Sequence, residues 1–122
     1  MHEIVLPETI KVGGFDYPIL INDEVDRALE DNRWRGEHSD LWRYIKILSR
    51  LDPQSFSATF IHEVLHAINS VYLDSDLKEY QIVAISNGFH QVLEQLGVRF
   101  IKRKVNSRTI TVLSKKSYVN QD

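Results

Sequence analysis

The run His62-Glu63-Val64-Leu65-His66 places two histidines four residues apart, with a glutamate directly after the first. On a helix, residues four apart share a face and are separated by about 6 Å of rise. Two imidazoles so placed can meet one zinc ion at about 2.0–2.1 Å. Glu63 is offset by about 100°, toward the open side, where it can take a proton from a zinc-bound water attacking a peptide carbonyl. With five His and eight Glu in 122 residues, chance would produce this pattern only about 0.01 times. The competing reading is a pair of surface histidines that merely share a helix face. The neighbours Ile61, Val64, Leu65, Ala67 and Ile68 favour a packed metal-binding helix instead.

A catalytic zinc site needs a third protein ligand. The chain has no cysteine, so disulfides, thiolate ligands and a thiol nucleophile are excluded, and the third ligand must be His, Glu or Asp. Glu79 follows His66 by 13 residues and stands near the start of the next helical segment. His90 is its rival. Glu79 and His90 are 11 residues apart on one helix, about 16 Å of rise, so they cannot hold the same ion. A short turn between antiparallel helices brings the near end of the second helix to the metal, which favours Glu79. Asp74 and Asp76 read as turn and capping residues.

These residues need elements to carry them. Asp52-Pro53 supplies an N-cap followed by proline at the first helical position. From there to about Tyr72 apolar residues recur at helical spacing: Phe56, Phe60, Val64 and Ile61, Leu65, Ile68, Tyr72. Asp74-Ser75-Asp76 can cap a second helix from about Leu77 to Leu96, ended by Gly97. Upstream, Thr9–Val12 and Phe15–Ile21 alternate around Gly13-Gly14, which suits a hairpin. Pro18 places the second of these strands at an edge or a bulge. Residues 23–37 are polar and read as a helical turn or loop. Leu41–Ile47 reads as a strand. Val98–Val105 and Thr109–Leu113 are further strand candidates. The expected fold is α+β, with a small antiparallel or mixed sheet and the His62–His66 helix packed against a second helix. One domain would span 1–122: mainly β over 1–51, two helices over 52–97, and a basic β/tail region over 98–122.

Composition is that of an ordinary globular domain, 43% apolar and 26% charged, which argues against disorder or membrane spanning. The start lacks a basic region before an apolar run, so no secretory leader is expected and a reducing, cytoplasmic setting is. The net charge of −2 hides an asymmetry. Residues 1–94 carry 8 Lys/Arg against 16 Asp/Glu, and residues 95–122 carry 7 against 1. The basic residues Arg99, Lys102, Arg103, Lys104, Arg108, Lys115 and Lys116 usually signify a solvated, aggregation-resistant edge strand. With only Phe100 and Tyr118 interleaved or following, they are a weak signal for nucleic acid.

The run Thr59–Ile68, followed by Glu79 and Ser86–Leu93, resembles the small zinc metallopeptidase-like proteins of phages and prophages. These are minimal gluzincin-type domains, similar in plan to ImmA/IrrE-like and SprT-like peptidases. Pro7–Gly14 resembles their amino-terminal strand and hairpin, and the likeness covers roughly residues 5–96. It implies a zincin-like fold in a bacterial or phage-infected cell. It also implies His62, His66 and Glu79 as ligands, Glu63 as base, and pairing of an extended substrate with the strand Leu41–Ile47. Lys78 stands where such families often carry another acid. A residue stabilising the oxyanion is expected among Tyr44, Tyr72, Tyr80, His38 and Tyr118. A partner orienting His62 or His66 is expected among Ser70, Asn69 and Thr59.

The function these readings point to is zinc-dependent hydrolysis of peptide bonds in a protein or peptide substrate. Two alternatives stand beside it: a zinc-stabilised binding or regulatory protein with little catalysis, and a DNA-associated protein using its basic tail.

Overall fold

Gly13 and Gly14 turn the chain with φ of 60° and 87°, values that L-residues with a Cβ avoid. The turn joins β2 (Thr9–Val12) to β3 (Phe15–Leu20) as an antiparallel pair, in a computed structural model that describes residues 1–104. The expected strand Thr109–Leu113, the end of Val98–Val105, and Arg108, Lys115, Lys116 and Tyr118 lie outside the described residues. Before the hairpin comes β1 (His2–Val5), and after it α1 (Asp23–Asp31), β4 (Gly36–Ser39), β5 (Tyr44–Ile47), α2 (Pro53–Leu73), α3 (Glu79–Gln95) and β6 (Val98–Ile101). The result is α+β, with three helices among the described residues where two were expected.

There are two sheets among the described residues. One is four-stranded in the order β2-β3-β5-β4, with β3 and β5 parallel and the other neighbours antiparallel. The second pairs β1 with β6 in parallel, joining residues far apart in the chain. Because β1 has its partner 96 positions downstream (His2 with Val98), no local pattern announces it.

Several expectations are corrected. Leu41–Ile47 is not one strand. Arg43 has φ of 55°, Leu41 and Trp42 are exposed, and only Tyr44–Ile47 is extended. The strand β5 is internal, and the sheet edge on that side is β4. Pro18 sits in an internal strand. The Ile19 N–H donates to Glu8 O on the β2 side, so the Pro18 nitrogen faces the other way. There the pairing with β5 begins only at Ile19, and no ladder bond is lost. Residues 23–31 form a helix capped by Asn22, whose side chain accepts from the Val25 N–H at 2.8 Å. Its acidic first turn complements the helix dipole.

The core joins the sheet to α2, with Leu6, Tyr17, Ile19, Ile45 and Ile47 against Phe56, Phe60 and Ala67. Tyr72, expected on the buried face, is 64% exposed. The row of α2 that meets the sheet is instead Phe56, Phe60, Glu63 and Ala67, spaced by three and four residues as one helix face requires.

Two polar contacts lock the periphery. Asp26 is fully buried on α1 and accepts from the Ser49 N–H at 2.8 Å and from the Ser49 hydroxyl at 2.5 Å. Asp26→Ala would strand the Ser49 N–H and should cost about 1–3 kcal/mol, read by urea denaturation. Arg99 of β6 donates twice to Glu94 of α3, at 2.8 and 2.9 Å. That guanidinium lowers the Glu94 carboxyl from 4.5 to about 2. The folded value lies below the unfolded one, so the pair's stabilisation is complete above pH 4.5 and is lost as pH falls toward 2. The stability gap between wild type and Glu94→Gln should therefore stay level from about pH 5 to neutrality and close below it. A gap independent of pH down to the acid limit would contradict this origin.

Candidate metal centre

A helix rotates about 100° per residue, so consecutive side chains on α2 meet different neighbours. His62 faces α3, Glu63 faces β4, and His66 lies between them, meeting Glu79 of α3 and His38 of β4.

On the α3 side, the turn after α2 sets the geometry. Asp74 ends α2 in the left-handed region with φ of 51°, and Ser75 follows at 57°. Neither caps α3, contrary to expectation. The buried Asn69 holds the turn, its side chain accepting from the Leu77 N–H at 2.9 Å and donating to Leu77 O at 3.2 Å. The N-cap of α3 is Lys78, whose N–H donates to Gln81 Oε1 at 2.9 Å. The chain doubles back, and Glu79, the first residue of α3, reaches both histidines.

Glu79 Oε1 lies 3.0 Å from His66 Nε2, and Oε2 lies 3.5 Å from His62 Nε2. Ligand atoms arranged tetrahedrally at about 2.05 Å from zinc are separated by about 3.3 Å. The donor set, two imidazoles and a carboxylate, is also what zinc takes. His62, His66 and Glu79 therefore suit a zinc ion in chemistry, and their ligand atoms all lie within 4.8 Å of one another, as do those of His38, Glu63 and His66.

Ser86 supplies a feature that the sequence reading missed in this role. Its buried hydroxyl donates to Val83 O at 3.2 Å and lies 3.4 Å from His62 Nδ1. A hydroxyl whose proton goes to Val83 can accept from Nδ1–H, and that tautomer leaves Nε2 bare for a metal. The expected candidates do other things. Asn69 holds the turn, Thr59 lies against Gly36, and Ser70 has no described hydrogen bond. The signal was legible in principle, because Glu79, Ser86 and His90 share a face of α3 at helical spacing. His90 itself is remote, with Nε2 at 3.6 Å from Glu94 Oε2.

On the β4 side, Glu63 is only 6% exposed, so it is covered by the strand rather than open. A Cβ added to Gly36 would come within 2.7 Å of Thr59 Cγ2 and 3.0 Å of Glu63 Oε2. Only glycine lets the strand approach this closely. His38, also on β4, meets Glu63 with its Nδ1 2.9 Å from Oε1. An ionised carboxylate only accepts, so the imidazole N–H donates. The His38 ring stacks on His66, with centroids 4.0 Å apart and planes 13° apart. Burial pushes His38 down, but the hydrogen bond to Glu63 and the charges of Glu63, Asp40 and Glu79 outweigh it and leave it raised. Burial and the neighbouring His38 lower His66, against the pull of Glu63 and Glu79. A lowered value favours the neutral imidazole that a metal requires.

Of the expected oxyanion residues, His38 is the one brought to this cluster. The Tyr44 hydroxyl donates to Glu37 Oε2 at 3.1 Å, Tyr72 and Tyr80 are exposed, and Tyr118 is outside the described residues. The basic residues after α3 are largely engaged where they are described. Arg99 binds Glu94, Lys102 donates to Ser49 O, and Arg103 donates to Pro7 O and Ile19 O. No helix of the described residues is long and apolar enough to cross a membrane.

Comparison of the chain with family models, curated proteins and solved structures returns no match.

If Ser86 orients His62, Ser86→Ala should weaken zinc binding by about 10–100-fold while leaving α3 folded. Competition against a chromogenic chelator reads the affinity, and circular dichroism checks the fold.

Proposed function

We propose that the protein is a zinc-dependent peptidase in which His62, His66 and Glu79 hold the metal and Glu63 is the general base. The observation that carries this reading is the convergence of the two Nε2 atoms and the Glu79 carboxylate, at 3.0 and 3.5 Å, beside a buried glutamate one residue along the helix. Bound there, zinc would supply a Lewis acid that acidifies water and polarises a carbonyl.

The protein's own residues supply the rest. Glu63 accepts the proton of the attacking water and returns it to the leaving amine. The His38 N–H holds the Glu63 carboxylate in one rotation, and its position beside His66 makes it the candidate for steadying charge that develops on the carbonyl oxygen. The free edge of β4, Gly36–Ser39, supports pairing with an extended peptide. It takes the place that the resemblance assigned to Leu41–Ile47.

Metal content by mass spectrometry and cleavage of an unfolded protein test the reading together. Wild type should carry about one zinc per chain, and His66→Ala and Glu79→Ala should lose it. Glu63→Gln should keep the metal and lose at least about 100-fold in turnover. Undiminished cleavage by Glu63→Gln would overturn the role of Glu63, and zinc retained by Glu79→Ala would require another third ligand.

One observation favours a second reading, a zinc-stabilised binding protein with little catalysis: Glu63 Oε1 is already engaged by His38. A chelator would then lower the melting temperature of a protein that cleaves nothing.

A further inference from the structure

The chain leaving α1 runs Arg33-Trp34-Arg35 directly into the edge strand β4. Arg33, Trp34 and Arg35 line a polar cleft of about 400 Å³ together with His62, Glu63 and Asn87. Trp34 and Glu63 also line an adjoining cleft that reaches His38 and His66. The cleft beside the candidate metal centre is therefore lined in part by two arginines and the tryptophan that separates them in the chain.

Their backbone is held in place. Arg33 is in the left-handed region at φ 59° and its N–H donates to Glu30 O at 3.0 Å. The Trp34 N–H donates to Leu29 O at 2.9 Å, and Arg35 O accepts from the Leu48 N–H at 2.8 Å. Among the described residues, neither Arg33 nor Arg35 makes an ion pair or a side-chain hydrogen bond, whereas Arg50, Arg99 and Arg103 do. Both are solvent-exposed, and Trp34 is 49% exposed.

Residues 1–94 carry twice as many acidic as basic side chains. A surface of that sign repels anions at a distance. Two uncommitted arginines set positive charge against the carboxylates Glu63 and Glu37 of the two clefts, and the planar fork of a guanidinium matches a carboxylate.

We propose that this cleft selects polypeptides carrying acidic side chains next to the segment laid along β4. The inference rests on the peptidase reading for the cut that follows, and not for the binding itself.

Two synthetic peptides test it, identical in length and apolar residues but carrying either two adjacent Glu or two adjacent Gln at the centre. Binding is read by fluorescence anisotropy on the full-length Glu63→Gln chain with zinc supplied in the buffer, so that cleavage does not consume the probe. At low ionic strength the Glu peptide should bind about five- to tenfold more tightly, the scale of two exposed charge contacts. That preference should shrink with salt and vanish in Arg33→Gln/Arg35→Gln at an unchanged melting temperature. Equal affinity for both peptides overturns the proposal. So does a preference that survives the double substitution, which would assign acid recognition to other cations of the chain.

The two readings fail separately. Turnover by wild type with no acid preference removes this inference and leaves the peptidase. Arginine-dependent acid preference, with neither zinc nor turnover in wild type, removes the peptidase and leaves an acid-selective peptide cleft.

Discussion

α2 buries a carboxylate in the row of side chains that meets the sheet, and much of the site's geometry depends on that one placement. Glu63 lies in line with Phe56, Phe60 and Ala67, where an apolar residue would ordinarily stand. A buried carboxylate is costly unless its oxygens find donors. Here His38 supplies an N–H to Oε1, and Gly36 has no side chain to intrude where Oε2 lies. Both come from β4, so the edge strand of the sheet is tied to the helix through the group with the most chemistry in it.

With Glu63 turned to the sheet, the rotation of the helix turns His62 toward α3 and leaves His66 between α3 and His38 of β4. The antiparallel return of the chain meets both histidines. The turn is held by Asn69, whose amide binds both backbone groups of Leu77, and not by the aspartates that its composition brings to notice. Because Asn69 lies one helical turn past His66, the same residue that closes the turn also fixes how soon α3 begins. Glu79 and Ser86 then arrive at the Nε2 and Nδ1 sides of the histidines. The contacts that hold α2 and α3 together are therefore largely the contacts that organise the centre.

The periphery follows a similar economy. Most described cations after α3 serve to fasten β6: Arg99 to Glu94, Lys102 to Ser49 and Arg103 to Pro7 and Ile19. What looked along the chain like a basic extension is, over residues 99–103, a set of clips joining distant segments. Arg33 and Arg35, which make no ion pair or side-chain hydrogen bond among the described residues, stand in the acidic part of the chain beside the candidate centre.

The local features were legible in the sequence because they are made by neighbours. Asp52-Pro53 starts α2, the spacing of four carries His62 and His66 to one face, and the glycine pair turns the hairpin. The absence of cysteine and the length of the second helix sent the search for a third ligand to Glu79. What the sequence could not decide was which groups arrive from elsewhere. His38 is 25 residues from Glu63 and Ser86 is 24 from His62, distances at which no periodicity constrains contact. The same is true of β1 and β6, whose pairing closes nearly the whole described chain, and of the sheet order that made β4 the edge and β5 internal. Residue type and spacing determined that two histidines and a glutamate could act together. Only the packing of α2 between β4 and α3 decided which way each would face, because a helix fixes the angles among its side chains but not what lies opposite them.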